Sequence, residues 1–287
     1  MKPSPYILSL PEAWRSSVIF ASPHSGRNYP LSFLRNSILD EQTIRSSEDA
    51  FVDMLFSNAP DLGSPLLAAT APRAYVDLNR SADELDPGVI AGVGRTTHNP
   101  RVNSGLGVVP RVVANGRSIY RGKIAYDAAQ KRLRDVWYPY HSKLQDLIDQ
   151  GYRAFGETIL IDCHSMPHEA IEVISQGSVR KPHIVLGDRF GAAAGQEIVD
   201  RIEAAFTSAG LKVARNTPFA GAYTAQHYGR PSRGQHVIQV EIDRALYMDE
   251  RLIRPHSGFE DFKALLQGIV ADIVSIGGRD EIPLAAE

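Results

Sequence analysis

The chain has 287 residues, of which 43% are hydrophobic and 22% charged, a composition that fits a folded globular protein and not a disordered one. Lys and Arg number 31 and Asp and Glu 33, a formal net charge of -2, and no basic tail or long basic run occurs, which argues against nucleic acid as a partner. The single cysteine, Cys163, excludes an intramolecular disulfide framework and a Cys-rich zinc finger.

Residues 1–17 hold one Lys and a short apolar stretch broken by Pro11, so they do not read as a signal peptide. No run of about 18 apolar residues occurs, and no membrane span is expected. The expectation is a cytoplasmic protein whose Cys163 stays reduced.

Along the chain, strand-length apolar runs alternate with longer helical patterns. Residues 17–21 read as a strand that stops at Ser22-Pro23. Phe51, Val52, Leu55 and Phe56 recur at helical spacing, which predicts a helix over 48–58 with Ser46 or Ser47 as its N-cap. Short strands are expected over 66–70 and 74–78. Residues 87–122 differ in kind, with Gly88, Gly92, Gly94, Gly105, Gly107, Gly116 and Gly122 interspersed with Pro87, Pro100 and Pro110. Irregular stretches of this length inside a compact domain are usually functional, and this one is expected to cover the site.

Leu133, Val136, Trp137, Tyr140, Leu144, Leu147 and Ile148 form one apolar stripe, predicting a helix over 126–150 that Pro139 kinks or splits and Gly151 ends. Residues 158–163 are a continuous apolar strand of the kind found in a sheet covered on both faces. Strands are expected over 183–186, 211–214 and 237–242, and helices over 196–209 and 258–276. This alternation predicts one α/β domain spanning 1–287, with a mixed, mostly parallel sheet and helices on both faces.

Two histidines, His24 and His164, each lie just past a predicted strand, where ligands collect in open α/β sheets. A hydrolytic zinc commonly takes two histidines, a carboxylate and one open position. Glu48, Asp49 and Asp53 could supply the carboxylate, although acids there also suit the start of a helix. Asp162 is two residues before His164, a spacing that shares a face only if the strand continues.

Glu241 sits in the strand Val237–Ile242. Gln239, Glu241 and Asp243 share one face of it. A carboxylate in such a strand costs free energy unless it is paired or functional, so it reads as a general base or a metal ligand. Arg73, Arg80 and Arg244 could grip carboxylates through their planar forks. Cys163 and Ser165 lack an evident triad partner, which leaves little for a serine or thiol hydrolase.

Together these segments resemble the N-formylglutamate amidohydrolase family. The resemblance rests on Ser22-Pro23-His24-Ser25-Gly26, Ser47-Glu48-Asp49-Ala50-Phe51-Val52-Asp53, Arg73-Ala74-Tyr75-Val76-Asp77-Leu78-Asn79-Arg80, Asp162-Cys163-His164-Ser165-Met166-Pro167 and Gln239-Val240-Glu241-Ile242-Asp243-Arg244. Leu246-Tyr247-Met248-Asp249-Glu250 is similar as well. That family resembles the zinc carboxypeptidases and aspartoacylases in fold.

The resemblance implies Zn²⁺, or another divalent metal, held by His24, His164 and Asp49, with Glu48 the alternative acid. It implies Glu241 as general base and Arg73 as the group that polarises the scissile carbonyl. Asn79 and Arg80, with Arg244, would bind substrate. The implied activity is cleavage of N-formyl-L-glutamate to formate and L-glutamate. The alternatives are a deacylase or carboxypeptidase-like amidase for another small N-acyl amino acid or peptide, and a small-molecule binding protein without catalysis.

Overall fold

The computed structural model describes residues 4–94, 99–174 and 181–278. One seven-stranded sheet runs through them, made of β1 (Tyr6–Ser9), β2 (Val18–Ser22), β3 (Leu66–Ala69), β4 (Thr158–Met166), β5 (Ile184–Gly187), β6 (Val213–Arg215) and β7 (Gln235–Asp243). Their order is β1-β3-β2-β4-β7-β5-β6. The β3-β2, β2-β4, β4-β7 and β5-β6 pairs are parallel, whereas β1 on β3 and β5 on β7 are antiparallel. The sheet is therefore mixed and mostly parallel, as expected.

Both faces are covered, and strand alternation decides which residues meet which cover. Ile159, Ile161, Cys163, Ile238, Val240 and Ile242 share one apolar cluster with residues of the helices Gln196–Ser208 and Phe259–Ile276. Leu160 and Val237 share the other with residues of the helix Tyr138–Phe155. Each fully buried Leu or Ile of these clusters contributes roughly 1.5–3 kcal/mol.

β4 and β7 run side by side over nine residue pairs, Thr158 with Gln235 through Met166 with Asp243. The strand thus continues three residues beyond the expected 158–163. That extension places Asp162 and His164 on the face of Leu160, opposite Gln239 and Glu241 in register.

Four elements differ from the sequence reading. Residues 74–78 are not a strand: the Tyr75 and Val76 amides bond to the Pro72 carbonyl and the Asp77 amide to that of Val108, so no ladder forms. The helix expected over 48–58 shrinks to Val52–Leu55. Phe51, at φ 67, occupies the left-handed region that a bulky residue rarely adopts, and a right-handed helix cannot pass through it. Neither Ser46 nor Ser47 caps it, and the Ser46 hydroxyl bonds the Thr43 carbonyl instead. β1, at the sheet edge, was not anticipated, and the strand expected over 211–214 is displaced to Val213–Arg215.

Pro139 divides its helical run as its missing N–H requires. A π turn over Leu133–Trp137 separates the α-helices Tyr126–Arg132 and Tyr138–Phe155. Within 87–122, where 95–98 lie outside the described residues, the chain is irregular apart from a short helix at Pro100–Asn103 and a 3-10 turn at Ala114–Gly116.

Candidate active site

The site lies at the carboxyl ends of β2, β4 and β7. β2 delivers the chain to His24, and Gly26 then lets it pass close to the next strand connection: a Cβ at Gly26 would stand 2.1 Å from the Ala71 carbonyl oxygen. The Asp49 amide donates to the His24 carbonyl at 3.1 Å, which ties the two segments together. His24, Asp49 and His164 are all buried, and their ligand atoms lie within 4.8 Å of one another.

Hydrogen bonds fix how both imidazoles face. His24 Nε2 lies 2.7 Å from Asp77 Oδ1, and His164 Nε2 lies 3.1 Å from Asp162 Oδ2. For His24 the Asp77 carboxylate places the ring proton on Nε2 and leaves Nδ1 as a lone pair, whereas His164 has a carboxylate at each nitrogen and Asn79 Nδ2 3.1 Å from Nε2. Both Nδ1 atoms point at Asp49 Oδ2, from 3.4 Å for His24 and 2.8 Å for His164. Two imidazole nitrogens and a carboxylate oxygen that converge this closely offer a cation three ligand atoms. Consistently, His24 Nδ1 is buried without a hydrogen-bond partner among the described residues. The donor set is the two-histidine, one-carboxylate set that suits zinc, each histidine being oriented by a further carboxylate.

In the absence of a cation a proton takes that place. Burial disfavours a charged His164, but Asp162, Asp49 and Glu241 outweigh it and hold the imidazole well above its ordinary value. Burial likewise opposes ionisation of Asp49, yet the adjacent His164 and His24 imidazoles keep its carboxyl well below the usual range. For Asp77, burial is outweighed chiefly by the Arg73 guanidinium, with the same result.

Asn79 completes the frame. Its Oδ1 accepts from the Thr224 amide at 2.8 Å, so its Nδ2 must face the site. From there it donates to Asp162 Oδ2 and Gln239 Oε1, both at 3.3 Å. Gln239 Oε1 also accepts from the Ala222 amide at 3.1 Å, and its Nε2 donates to Glu241 Oε1 at 2.8 Å. Burial, partly offset by His164 and reinforced by Asp49, raises the Glu241 carboxyl to about 7. A buried carboxyl poised there suits proton transfer near neutral pH.

The arginines divide by partner. Arg73 Nε bonds Asp77 Oδ2 at 3.1 Å. Arg244 donates from Nη2 to Asp49 Oδ1 at 3.0 Å and from Nε to Ser165 Oγ at 3.2 Å, so it braces Asp49. Arg80 spends Nε and Nη1 on the carbonyls of Leu106 and Asn79, acceptors that carry no charge. Glu48 is engaged away from the cluster, by Tyr29 at 2.6 Å and by Arg45, so Asp49 is the acid between the histidines. Burial pushes the Cys163 thiol well above its usual value and leaves it no nucleophile.

His24, Arg73, Arg80, His164, Glu241 and Arg244 all line one cavity of about 500 Å³. The irregular segment supplies further walls, among them Arg101, Leu106 and Val113. Three participants escaped the sequence reading. Asp77 carried no signal beyond its place between Arg73 and Arg80. Gln239 shared a strand face with Glu241 but was assigned no role. Asp162 was weighed only for its spacing to His164.

The fold and site define an α/β protein with a buried two-histidine, one-carboxylate cluster at the strand ends. Residues 16–248 match the family described as N-formylglutamate amidohydrolase, and the chain belongs to that family. It is 28% identical over 242 residues to the N-formylglutamate deformylase of Pseudomonas aeruginosa, covering 83% of this chain and 84% of that protein. It is 27% identical over 268 residues to the enzyme of the same name from Pseudomonas putida, covering 90% and 93%. A crystal structure of N-formylglutamate amidohydrolase from Ralstonia eutropha superimposes with a TM-score of 0.89 at 33% identity, over 96% of this chain and 99% of that one. No helix among the described residues is long and apolar enough to cross a membrane.

Proposed function

We propose that this protein is a zinc-dependent amidohydrolase that cleaves N-formyl-L-glutamate to formate and L-glutamate. One observation supports the metal requirement: two buried histidines, each with a carboxylate at Nε2, aim their Nδ1 atoms at one oxygen of Asp49, and that of His24 has no hydrogen-bond partner among the described residues. The names of the Pseudomonas and Ralstonia relatives support the substrate.

Zinc held by His24, Asp49 and His164 supplies Lewis acidity and a water of lowered pKa. The chain's own residues supply the rest. Glu241, lining the same cavity and held through Oε1 by Gln239, takes a proton from the attacking water and delivers it to the departing amide nitrogen. The water oxygen bonds to the formyl carbon as the C–N bond breaks, giving formate and the free amine. Arg73, fixed on Asp77 and facing the cavity, stabilises the oxyanion that develops on the formyl oxygen. Arg80 reads a substrate carboxylate with the part of its fork that no backbone carbonyl takes up. Asn79 and Arg244 hold this machinery in place.

The test is metal content by elemental analysis alongside turnover of a panel of N-acyl amino acids. About one zinc per chain and preferential turnover of N-formyl-L-glutamate are expected. A chain that binds no divalent metal, or that prefers an uncharged N-acyl amino acid, overturns the reading. Asp49→Ala should abolish metal binding, whereas Glu48→Ala should retain it.

A further inference from the structure

Charge in the cavity does not balance, and the imbalance has a location. Arg73 is paired with Asp77 and Arg244 with Asp49. Two other arginines face the same space. Arg80 is buried and bonds only backbone carbonyls. Arg101, in the short helix Pro100–Asn103, is exposed at the rim and has no side-chain acceptor among the described residues. Asp86, the acid nearest to Arg101 in sequence, is paired with Arg111 at 2.8 Å, and Glu84 accepts from the Ser81 amide at 3.0 Å and Asn99 Nδ2 at 3.2 Å.

The two cations are built into one framework. The Leu106 amide donates to the Arg101 carbonyl at 2.8 Å, and the Leu106 carbonyl accepts from Arg80 Nε at 3.0 Å. A single residue therefore ties the helix carrying Arg101 to the Arg80 side chain. Arg111 holds the same helix from behind, with Nη2 on the Asn103 carbonyl at 3.0 Å and Nε on Asp86 at 2.8 Å. The Asn99 side chain caps the helix by accepting from the Arg101 and Val102 amides. The two arginines repel, so that each lowers the cost of bringing an anion to the other.

The geometry points to Arg101 as the rim half of a dicarboxylate clamp: Arg80 takes the carboxylate next to the scissile amide, and Arg101 takes the distal side-chain carboxylate. This inference rests on the deformylase reading above and deepens it. N-Formylglutamate carries two negative charges. Its α-carboxylate is attached beside the reacting nitrogen and must lie deep, close to Asn79 and Arg80. Its γ-carboxylate points back toward the entrance, where Arg101 waits on the Gly-rich segment. Selection of glutamate over an uncharged residue is thus assigned to that segment and not to the strand ends.

The experiment compares N-formyl-L-glutamate with N-formyl-L-glutamine, which lacks only the distal charge, in the wild type, Arg101→Ala and Arg101→Glu. The exposed side chain of Arg101 makes the variants safe for folding. For Arg101→Ala, KM for N-formyl-L-glutamate should rise about 5- to 10-fold with kcat little changed, the scale of a partly exposed charge-assisted contact. KM for N-formyl-L-glutamine, which keeps only the α-carboxylate, should rise far less. Arg101→Glu should raise KM for the dicarboxylate further and that for the amide by much less. A KM for the dicarboxylate that stays at its wild-type value, or one that changes equally for both substrates, overturns the assignment. A wild type that does not cleave N-formyl-L-glutamate sinks the deformylase reading itself, and the clamp with it.

Discussion

The site has a floor and a wall, held in place by different means. The floor is β4 and β7, whose ladder puts Asp162 opposite Gln239 and His164 opposite Glu241. Backbone bonds along the β4–β7 ladder set those four side chains, and a local change leaves the register intact. The wall carries His24, Asp49, Asp77 and Asn79 on irregular chain. There each residue is held by its neighbours' polar atoms: the Asp49 amide on the His24 carbonyl, and the Asn79 amide and His24 Nε2 on Asp77 Oδ1. The floor owes its geometry to the fold, whereas the wall owes it to the polar groups themselves. Substitutions on the floor should therefore read out single chemical roles, and those on the wall should spread.

Glu241→Gln is the largest expected effect and the cleanest probe of the floor. Glutamine is nearly isosteric and keeps a hydrogen-bonding oxygen for Gln239 Nε2, yet it accepts no proton. Turnover should fall about 10²–10⁴-fold with metal content unchanged. In the unaltered enzyme the rate should fall as pH drops, because Glu241, raised to about 7 by burial, must be ionised to act, and a bound cation moves that limb lower. Activity retained in Glu241→Gln removes it from the mechanism. Loss of metal together with activity makes it a ligand.

Next in size is a matched pair that sets wall against floor. Asp77 and Asp162 perform one task, each accepting from the Nε2 of a histidine. Losing such a partner typically costs 10–100-fold in metal affinity. Asp77 also accepts from the Asn79 amide at 2.8 Å and from Arg73 Nε at 3.1 Å, so Asp77→Asn removes a charge that three groups share and turns the oxygen facing Arg73 into a donor. Asp162→Asn leaves His164 on an intact ladder. Zinc affinity measured by competition with a chromophoric chelator should fall toward the upper end of that range for Asp77→Asn and toward the lower end for Asp162→Asn. The reverse order would mean that the wall is the more rigid of the two.

The same division explains what could be read from the sequence. Strands β2, β4, β5 and β7 and the flanking helices were legible because their apolar periodicity is dictated by two covered faces. His24, His164 and Glu241 followed as polar residues at strand ends. Residues 48–58 and 74–78 misled because Phe51, Val52, Leu55 and Phe56, and likewise Tyr75, Val76 and Leu78, carry the apolar spacing of regular elements although only Val52–Leu55 is helical and 74–78 forms no strand. Phe51 in the left-handed region leaves no trace in composition. Asp77 was hidden for the same reason: its role depends on three groups brought together only by folding. Arg101 was hidden because a segment without periodicity offers no face on which to place it.

The smallest expected effect concerns what stands behind the wall. His141, on the helix Tyr138–Phe155, is buried with Nε2 2.9 Å from the Leu78 carbonyl and Nδ1 2.8 Å from the Tyr228 hydroxyl. The Leu78 carbonyl requires a proton on Nε2, so Nδ1 accepts from Tyr228 and the ring is neutral. Burial, only partly opposed by that carbonyl, lowers its pKa to about 3, whereas an unfolded histidine titrates near 6.5. Between those values the unfolded chain binds a proton that the folded chain does not. The contribution of His141 is thus fully present above about pH 6.5 and declines as pH falls toward 3. At pH 5, some 1.5 units below the unfolded value, the loss is about 2 kcal/mol.

Because His141 anchors Leu78, this loss should appear first in the wall. Hydrogen exchange at pH 7 and pH 5, corrected for intrinsic rates, should show protection falling at the Asp77 and Asn79 amides before it falls in β4 and β7. His141→Gln keeps the polar contacts without the titration, so it should flatten the pH dependence while lowering protection at pH 7. Equal loss in wall and floor would show that the two open as one unit, and the division between them would then hold for chemistry but not for stability.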